Sequence, residues 1–395
     1  MKNAQSVRLY FVDWLRVLAM IGIFFFHNAR FYDVFTDWQV KNSSTSMGPS
    51  LLVGFMNEWL MPLFFLVAGA GVFLSLKFRQ PGQFIRERSL RLLVPLFFGM
   101  VVIVAPQAYF EAVNHGADLG GYNFLQLYGM HLQNLLALPW YHLWFLAYLF
   151  AFSLATLPLF WALKHAGKNI TERFLSRPWI VLPLVLLCLA AADTLLPLDG
   201  FWGNRIQGNW SIVAYLLFFI SGYLIFTDER VMITVKKLRW VWLVIATAAL
   251  ACGVTVFLDV HIDRAAYFGS GIFAAAEIVQ AFSTWGWLLA ILGLASRYLE
   301  RNNRFLAYAN EAVLPFYVLH QTIIISIGFY VVQWSAGIGL KYLVISATSF
   351  VAIMFIYELL VRRINVLRFL FGMRLRRKLL EPGKPRIIEP AYSHR

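Results

Sequence analysis

Arg8-Leu-Tyr-Phe-Val-Asp13-Trp-Leu-Arg16-Val-Leu-Ala-Met-Ile-Gly-Ile-Phe-Phe-Phe-His27 is the stretch on which the reading of the whole chain turns. Its apolar run is long enough to cross a bilayer, so it reads as a membrane-spanning helix. Three ionisable residues interrupt it. Arg16 and His27 are eleven positions apart, close to three full turns, which puts both on one face and roughly 16 Å apart along the axis. Asp13 lies three residues before Arg16, within pairing distance. Charge inside a membrane is costly, so such residues mark function unless they only anchor the helix, as Arg16 would if it snorkelled to the interface while holding Asp13.

The rest of the chain extends this pattern. It has 395 residues, 60% hydrophobic and only 14% charged, whereas a soluble domain carries about 25% charged residues. Ten apolar runs read as spans, at roughly 9–30, 51–76, 90–112, 142–163, 179–197, 210–227, 240–258, 271–296, 312–334 and 341–361. The runs are continuous rather than alternating, so the fold expected is an all-α transmembrane bundle and not a barrel. With the N-terminus inside, 28 of the 34 lysines and arginines fall on the inner side. Only Arg30, Lys41, Arg205, Arg264 and Lys341 fall outside, and Arg16 sits within a span. That asymmetry favours cytoplasmic termini, and it assigns the net charge of +14 to topology rather than to nucleic acid. Cys188 and Cys252 lie in apolar runs, which gives no disulfide framework. The first run bears charges and lacks a small-residue cleavage site, so it reads as a retained helix and not a signal peptide.

Residues 1–361 form the expected transmembrane domain, and 362–395 a basic cytoplasmic tail, disordered after Pro382. Arg362, Arg363, Arg368, Arg374, Arg376, Arg377 and Lys378 next to the last span read as contacts for anionic lipid head groups. Segment 113–141 has no lysine or arginine but carries His115, Asp118 and His131, and reads either as an acceptor-facing surface or as an ordinary loop.

Within this frame the candidates for chemistry are few. His27 lies toward the outer side of the first span, where an imidazole near neutrality can take a proton from a hydroxyl and return it. Arg88 and Arg91 are three apart at the inner mouth of the third span, and two guanidinium forks on one face suit a phosphate or pyrophosphate; alone, they would read as a positive-inside anchor. His142 opens the fourth span among Trp140 and Tyr141, as a functional or an interfacial histidine. His320 lies deep in the ninth span, so it is neutral and bonded or lines a polar cavity. Glu58 and Glu277 are candidates for a polar interior, and Glu358 is placed to pair with Arg362. The histidines sit on separate helices without ligand spacing, so no metal site is expected.

Taken together, these residues resemble the acyltransferase 3 family of integral membrane O-acyltransferases over essentially the whole chain. Asp13-x-x-Arg16 with His27 resembles the family's first-helix signature, Arg88-x-x-Arg91 its arginine pair, and Pro315 to Gln321 its late-helix motif. Within the family the chain is most similar to the glucan biosynthesis protein C branch, through Arg8-x-Tyr10-Phe11-x-Asp13, His142-Leu-Trp-Phe-Leu146, Tyr357-Glu358 and Leu367-x-Phe369-Leu370-Phe371. The resemblance implies a multi-pass protein of the bacterial inner membrane. It implies acyl-CoA as co-substrate on the inner face, succinyl-CoA favoured and acetyl-CoA the alternative, and a periplasmic or cell-surface glycan hydroxyl as acceptor on the outer face. It makes His27 catalytic and sets Arg88 and Arg91 on the CoA phosphates. Beside these, we expect Arg16 and Asp13 to act with His27, and His142, His320, Glu58 and Glu277 to be secondary polar contacts. Two positions depart from the family pattern: Leu149 stands where many members have a glutamate, and Ala68-Gly69 where they have Ser-Gly. The carboxylate that would orient His27 must then come from elsewhere, with Glu58 or Glu277 as candidates, or be dispensable. The competing reading is a transporter or flippase that uses the same buried charges and makes no covalent bond.

Overall fold

The computed structural model describes residues 8–376 apart from 36–37, 118–120, 134–138, 166–176 and 206–207. Among the described residues there are helices and no strands. Seven helices are long and apolar enough to cross a membrane: α1 (Tyr10–Ala29), α2 (Met47–Leu76), α8 (Pro178–Leu195), α11 (Arg239–Val256), α12 (Gly271–Tyr298), α13 (Arg304–Val331) and α14 (Ile338–Val361). Three bent pairs bring the number to ten if each is counted as one span. They are α3 (Pro81–Ile103) with α4 (Ala105–Asn114), bent 45°; α6 (Tyr141–Ala155) with α7 (Leu157–His165), bent 43°; and α9 (Ile212–Thr227) with α10 (Glu229–Lys237), bent 102°. Each of the ten runs read from sequence is helical: the runs 90–112 and 142–163 fall on bent pairs, and the run 210–227 on α9, with α10 turned away beyond its end. A short helix, α5 (Phe124–Gln133), lies between the third and fourth, and α15 (Asn365–Leu370) follows the last.

Two bends have a proline at the break. Pro106 opens α4 and Pro158 opens α7, and a proline ring collides with the carbonyl four residues back. Pro95 acts differently. Residues Ser89–Leu93 widen into a π turn, which accommodates the ring without breaking α3 and places Arg91 on the widened turn. A second π turn spans Gly99–Ile103.

The bundle is closed by small residues and aromatic rings. A β-carbon at Gly69 of α2 would lie 1.9 Å from the Phe219 carbonyl oxygen of α9, and one at Gly222 of α9 would lie 1.9 Å from the Leu66 oxygen of α2. The two backbones touch because neither position has a side chain. Next to this seam, the fully buried Phe65 ring contacts Trp144, Phe145, Phe152 and Tyr215. By contrast α11 buries only Ala246 and Gly253 and lies on the outside, against α12.

The start of α1 is pinned from afar. The Tyr10 and Phe11 N–H groups donate to the Glu300 carboxylate (3.0 and 3.3 Å), and Trp14 Nε1 donates to the Arg301 carbonyl (3.0 Å). A carboxylate at a helix N-terminus satisfies otherwise orphaned donors and complements the dipole. The segment before α13 therefore sets the position from which α1 carries its charged residues inward.

Candidate active site

The first-helix signature runs between two polar sites. At the N-terminal end of α1, Asp13 accepts from Arg8 Nε (2.7 Å) and Arg16 Nη1 (3.1 Å), so the expected Asp13–Arg16 pair is formed. Arg16 Nη2 lies so close to α2 that a β-carbon on Gly71 would sit 2.8 Å from it. Arg16 lines a cavity of about 780 Å³ with Arg79, Arg88, Arg91 and Arg374. The guanidinium of Arg88 stacks on the Phe84 ring, 5.0 Å from its centroid. Glu87 pairs with Arg79 (2.6 Å) and Arg91 (3.4 Å). Six arginines and two carboxylates, Asp13 and Glu87, line this one space. A cavity with this excess of guanidinium groups can hold an anion with several oxygens.

Away from the arginines the lining becomes apolar: Met20, Phe64, Val67, Phe145, Leu149 and the ring of Tyr317. Leu149, at the position of the family's glutamate, lines this same cavity.

Tyr317 separates the cavity from the second site. Its ring centroid is 5.6 Å from His142 and 5.7 Å from His320, and its hydroxyl donates to the His142 carbonyl. The three histidines read separately from sequence form one buried group. His320 is central, with ring centroids of His27 and His142 each 5.1 Å away. His142 Nε2 bonds the Val318 carbonyl (3.1 Å), and His320 Nδ1 bonds the Tyr317 carbonyl (2.6 Å). Carbonyls only accept, so these nitrogens carry the protons. That leaves lone pairs on His142 Nδ1 and His320 Nε2, and neither has a hydrogen-bond partner among the described residues; His27 Nδ1 has none either. The His27 ring is held by stacking on Trp38 (5.3 Å, 18°), and the Arg30 guanidinium also lies over this indole, 5.0 Å from its centroid.

A polar layer continues from there. The Gln39 side-chain oxygen accepts from Gln107 Nε2 (2.9 Å) and Gln321 Nε2 (3.1 Å), and the Thr322 hydroxyl donates to Gln107 Oε1 (3.1 Å). Arg30 and Lys41 pair with the fully buried Asp33 (3.1 and 3.3 Å) in the same loop after α1.

The two carboxylates considered for orienting His27 lie in another cluster. Glu277 pairs with Arg205 (3.3 Å) and Arg264 (3.0 Å), and Arg205 also pairs with Asp193 (3.4 Å). Glu58 accepts from the Thr284 hydroxyl (3.1 Å). Neither glutamate forms a hydrogen bond or ion pair with His27; Glu277 is held by two arginines and Glu58 by Thr284.

Elsewhere, Glu358 pairs with Arg362 at 2.8 Å as expected. The basic tail is partly folded. Arg368, expected at lipid head groups, is 4% exposed and turned inward, donating to Glu311 (2.8 Å) and to the Arg374 and Arg362 carbonyls (2.8 and 3.1 Å). The bundle offers it a carboxylate, which no lipid-facing position would. Arg377, Lys378, the stretch after Pro382 and Asp118 lie outside the described residues, as does the side chain of His131; His115 is exposed. Sequence reasoning passed over Arg79, Tyr317, Trp38, Gln39 and Gln107, and took Arg374 only for a lipid contact. Only Tyr317 carried a signal, its place inside the Pro315–Gln321 motif.

A family model described as an acyltransferase domain, of the acyltransferase 3 type, matches residues 9–359. The chain belongs to this family. No curated protein and no solved structure matches it. Every residue of the two sites except Arg8 and Arg374 falls within the matched range. The chain is thus a multi-pass membrane protein of an acyltransferase family, with an arginine-lined cavity and a histidine group at successive depths of α1.

Proposed function

We propose that the protein transfers an acyl group from acyl-CoA, bound in the arginine-lined cavity on the cytoplasmic side, to a hydroxyl of a glycan arriving from the opposite side. The observation that carries this reading is the span of α1, which brings Arg16 to the cavity and His27 to the histidine group, with Tyr317 between the two. Arg88 and Arg91 hold the CoA diphosphate, and Arg16 marks the path of the thioester. The apolar lining from Met20 to Tyr317 takes the acyl arm. His27 accepts the proton of the acceptor hydroxyl as its oxygen attacks the thioester carbonyl. The C–O bond forms, the C–S bond breaks, and the proton passes to the departing thiolate. With no carboxylate bonded to it among the described residues, His27 is oriented by Trp38 and the neighbouring His320.

The acceptor side has features that suit a sugar. A second cleft of about 780 Å³ is lined by Lys41, Ser43, Asn114, Gln333, Trp334 and Lys341. α4 carries both Asn114 at this cleft and Gln107 in the polar layer, seven residues and about two turns apart on one face. Succinyl is the favoured acyl group, on the resemblance to the glucan biosynthesis protein C branch, and acetyl is the alternative.

The test is mass spectrometry of envelope glycans from cells with the gene, without it, and with His27→Ala. Loss of an acyl mass increment in both altered strains supports transfer and names the acyl group. Unchanged covalent structure with redistributed glycan would point instead to transport.

A further inference from the structure

We infer that the chain beyond the family domain, residues 365–375, completes the donor site, with Arg374 binding the 3′-phosphate of the CoA nucleotide. This rests on the acyl-CoA reading above and adds a site to it. The matched family domain ends at residue 359, yet Arg374 lines the same cavity as Arg88 and Arg91. On its other side Arg374 lines a second cleft of about 440 Å³, and the two clefts share Glu87, Arg91 and Arg374 as a common wall. The second cleft is completed by Arg86, Leu90, Phe369 and Met373. It thus offers apolar and aromatic surface for a purine, with guanidinium groups at its edge for a phosphate.

The segment is held in place. Arg368 is buried and bonds Glu311 and the carbonyl of Arg374 itself, so Arg368 fixes the point from which the Arg374 side chain starts. Phe371 packs edge-on against Phe98 of α3 (5.3 Å). Gly372 has φ +68°, and a β-carbon there would sit 2.7 Å from the Arg91 carbonyl oxygen, so only glycine lets the chain pass this close to the π turn. Among the described residues the Arg374 guanidinium has no carboxylate within ion-pair distance. Charge matching points the same way. The cavity has four more arginines than carboxylates, six against two, and the diphosphate and 3′-phosphate of CoA together carry about four negative charges at neutral pH.

The test is a binding titration of the purified full-length protein with CoA and with 3′-dephospho-CoA. Wild type should bind CoA about tenfold or more tighter, the effect of one charge-assisted contact. Arg374→Ala should lose that preference by weakening CoA and leaving 3′-dephospho-CoA nearly unchanged, and Arg374→Lys should restore part of it. Arg88→Ala with Arg91→Ala should weaken both ligands. Equal affinity of wild type for the two ligands, or an unaltered preference in Arg374→Ala, would overturn the role of the C-terminal segment while leaving CoA binding intact. Failure of wild type to bind either ligand would overturn the acyl-CoA reading and this inference together.

Discussion

Alanine placed at Gly69 should destabilise the bundle and alanine at Gly71 should not, although the two positions are only two residues apart on α2. Ordinary contact of a β-carbon begins near 3.4 Å. At Gly69 the nearest atom is the Phe219 backbone oxygen at 1.9 Å, which is 1.5 Å too close, with the Phe219 carbonyl carbon and the Tyr223 nitrogen both at 3.0 Å. These are backbone atoms of a packed helix, so α2 and α9 must separate along their seam. Overpacking costs typically 1–3 kcal/mol, and a backbone collision of this depth falls at about the upper end or beyond. At Gly71 the only atom met is Arg16 Nη2 at 2.8 Å, 0.6 Å too close. That is the far end of a flexible side chain, which can swing aside with little strain. Gly69→Ala should therefore lower thermal stability and yield of the detergent-solubilised protein. Gly71→Ala should leave both near wild type but displace Arg16 and weaken donor binding. The assay is thermal unfolding followed by size exclusion, run alongside CoA titration on each variant. Gly69→Ala as stable as wild type would refute the packing argument. Gly71→Ala with unaltered CoA binding would refute the placement of Arg16 in the donor cavity.

Three further outcomes follow from the geometry. Tyr317→Phe removes one hydroxyl, which donates to the His142 carbonyl, so it should lower turnover by about tenfold or less while leaving donor affinity unchanged; a change confined to donor affinity would contradict its place at the histidine group. Arg88→Ala should weaken CoA binding about tenfold or more, since one charge-assisted contact is lost, and titration calorimetry would read it directly. His261 lies outside the spans and is pushed down to about 4 by burial, with the Arg264 charge adding to the effect. The unfolded chain then binds more protons between about pH 6.5 and 4. Stability should fall as pH drops through that window, and His261→Gln should flatten the slope; an unchanged slope would exclude His261 as its source.

What the sequence reveals and what it hides divide along physical lines. The seven long spans and the three bent pairs are legible because apolar helices announce themselves as continuous apolar runs, and Arg88 and Arg91 because their spacing sets them on one turn. The π turn at Ser89–Leu93 leaves no periodic trace, so the sequence did not show how Arg91 is displaced around Pro95. His27, His142 and His320 each stood out as ionisable groups in apolar surroundings, but their convergence depends on how α1, α6 and α13 pack, which periodicity does not encode. The same packing sends Glu277 to Arg205 and Arg264 and away from His27. Those two arginines had been counted only as topology markers. Arg368 and Arg374 were hidden for a similar reason: in a basic run each arginine looks like its neighbours, and only the carboxylate of Glu311 and the turn at Gly372 pick them out.

The most direct test of the central claim is single-turnover transfer from labelled succinyl-CoA to glycan acceptor by the purified protein in vesicles, wild type against His27→Ala, with CoA binding measured on the same samples. Abolished transfer with intact CoA binding and normal yield is the predicted result. Transfer by His27→Ala at the wild-type rate would contradict the assignment of His27 as the base.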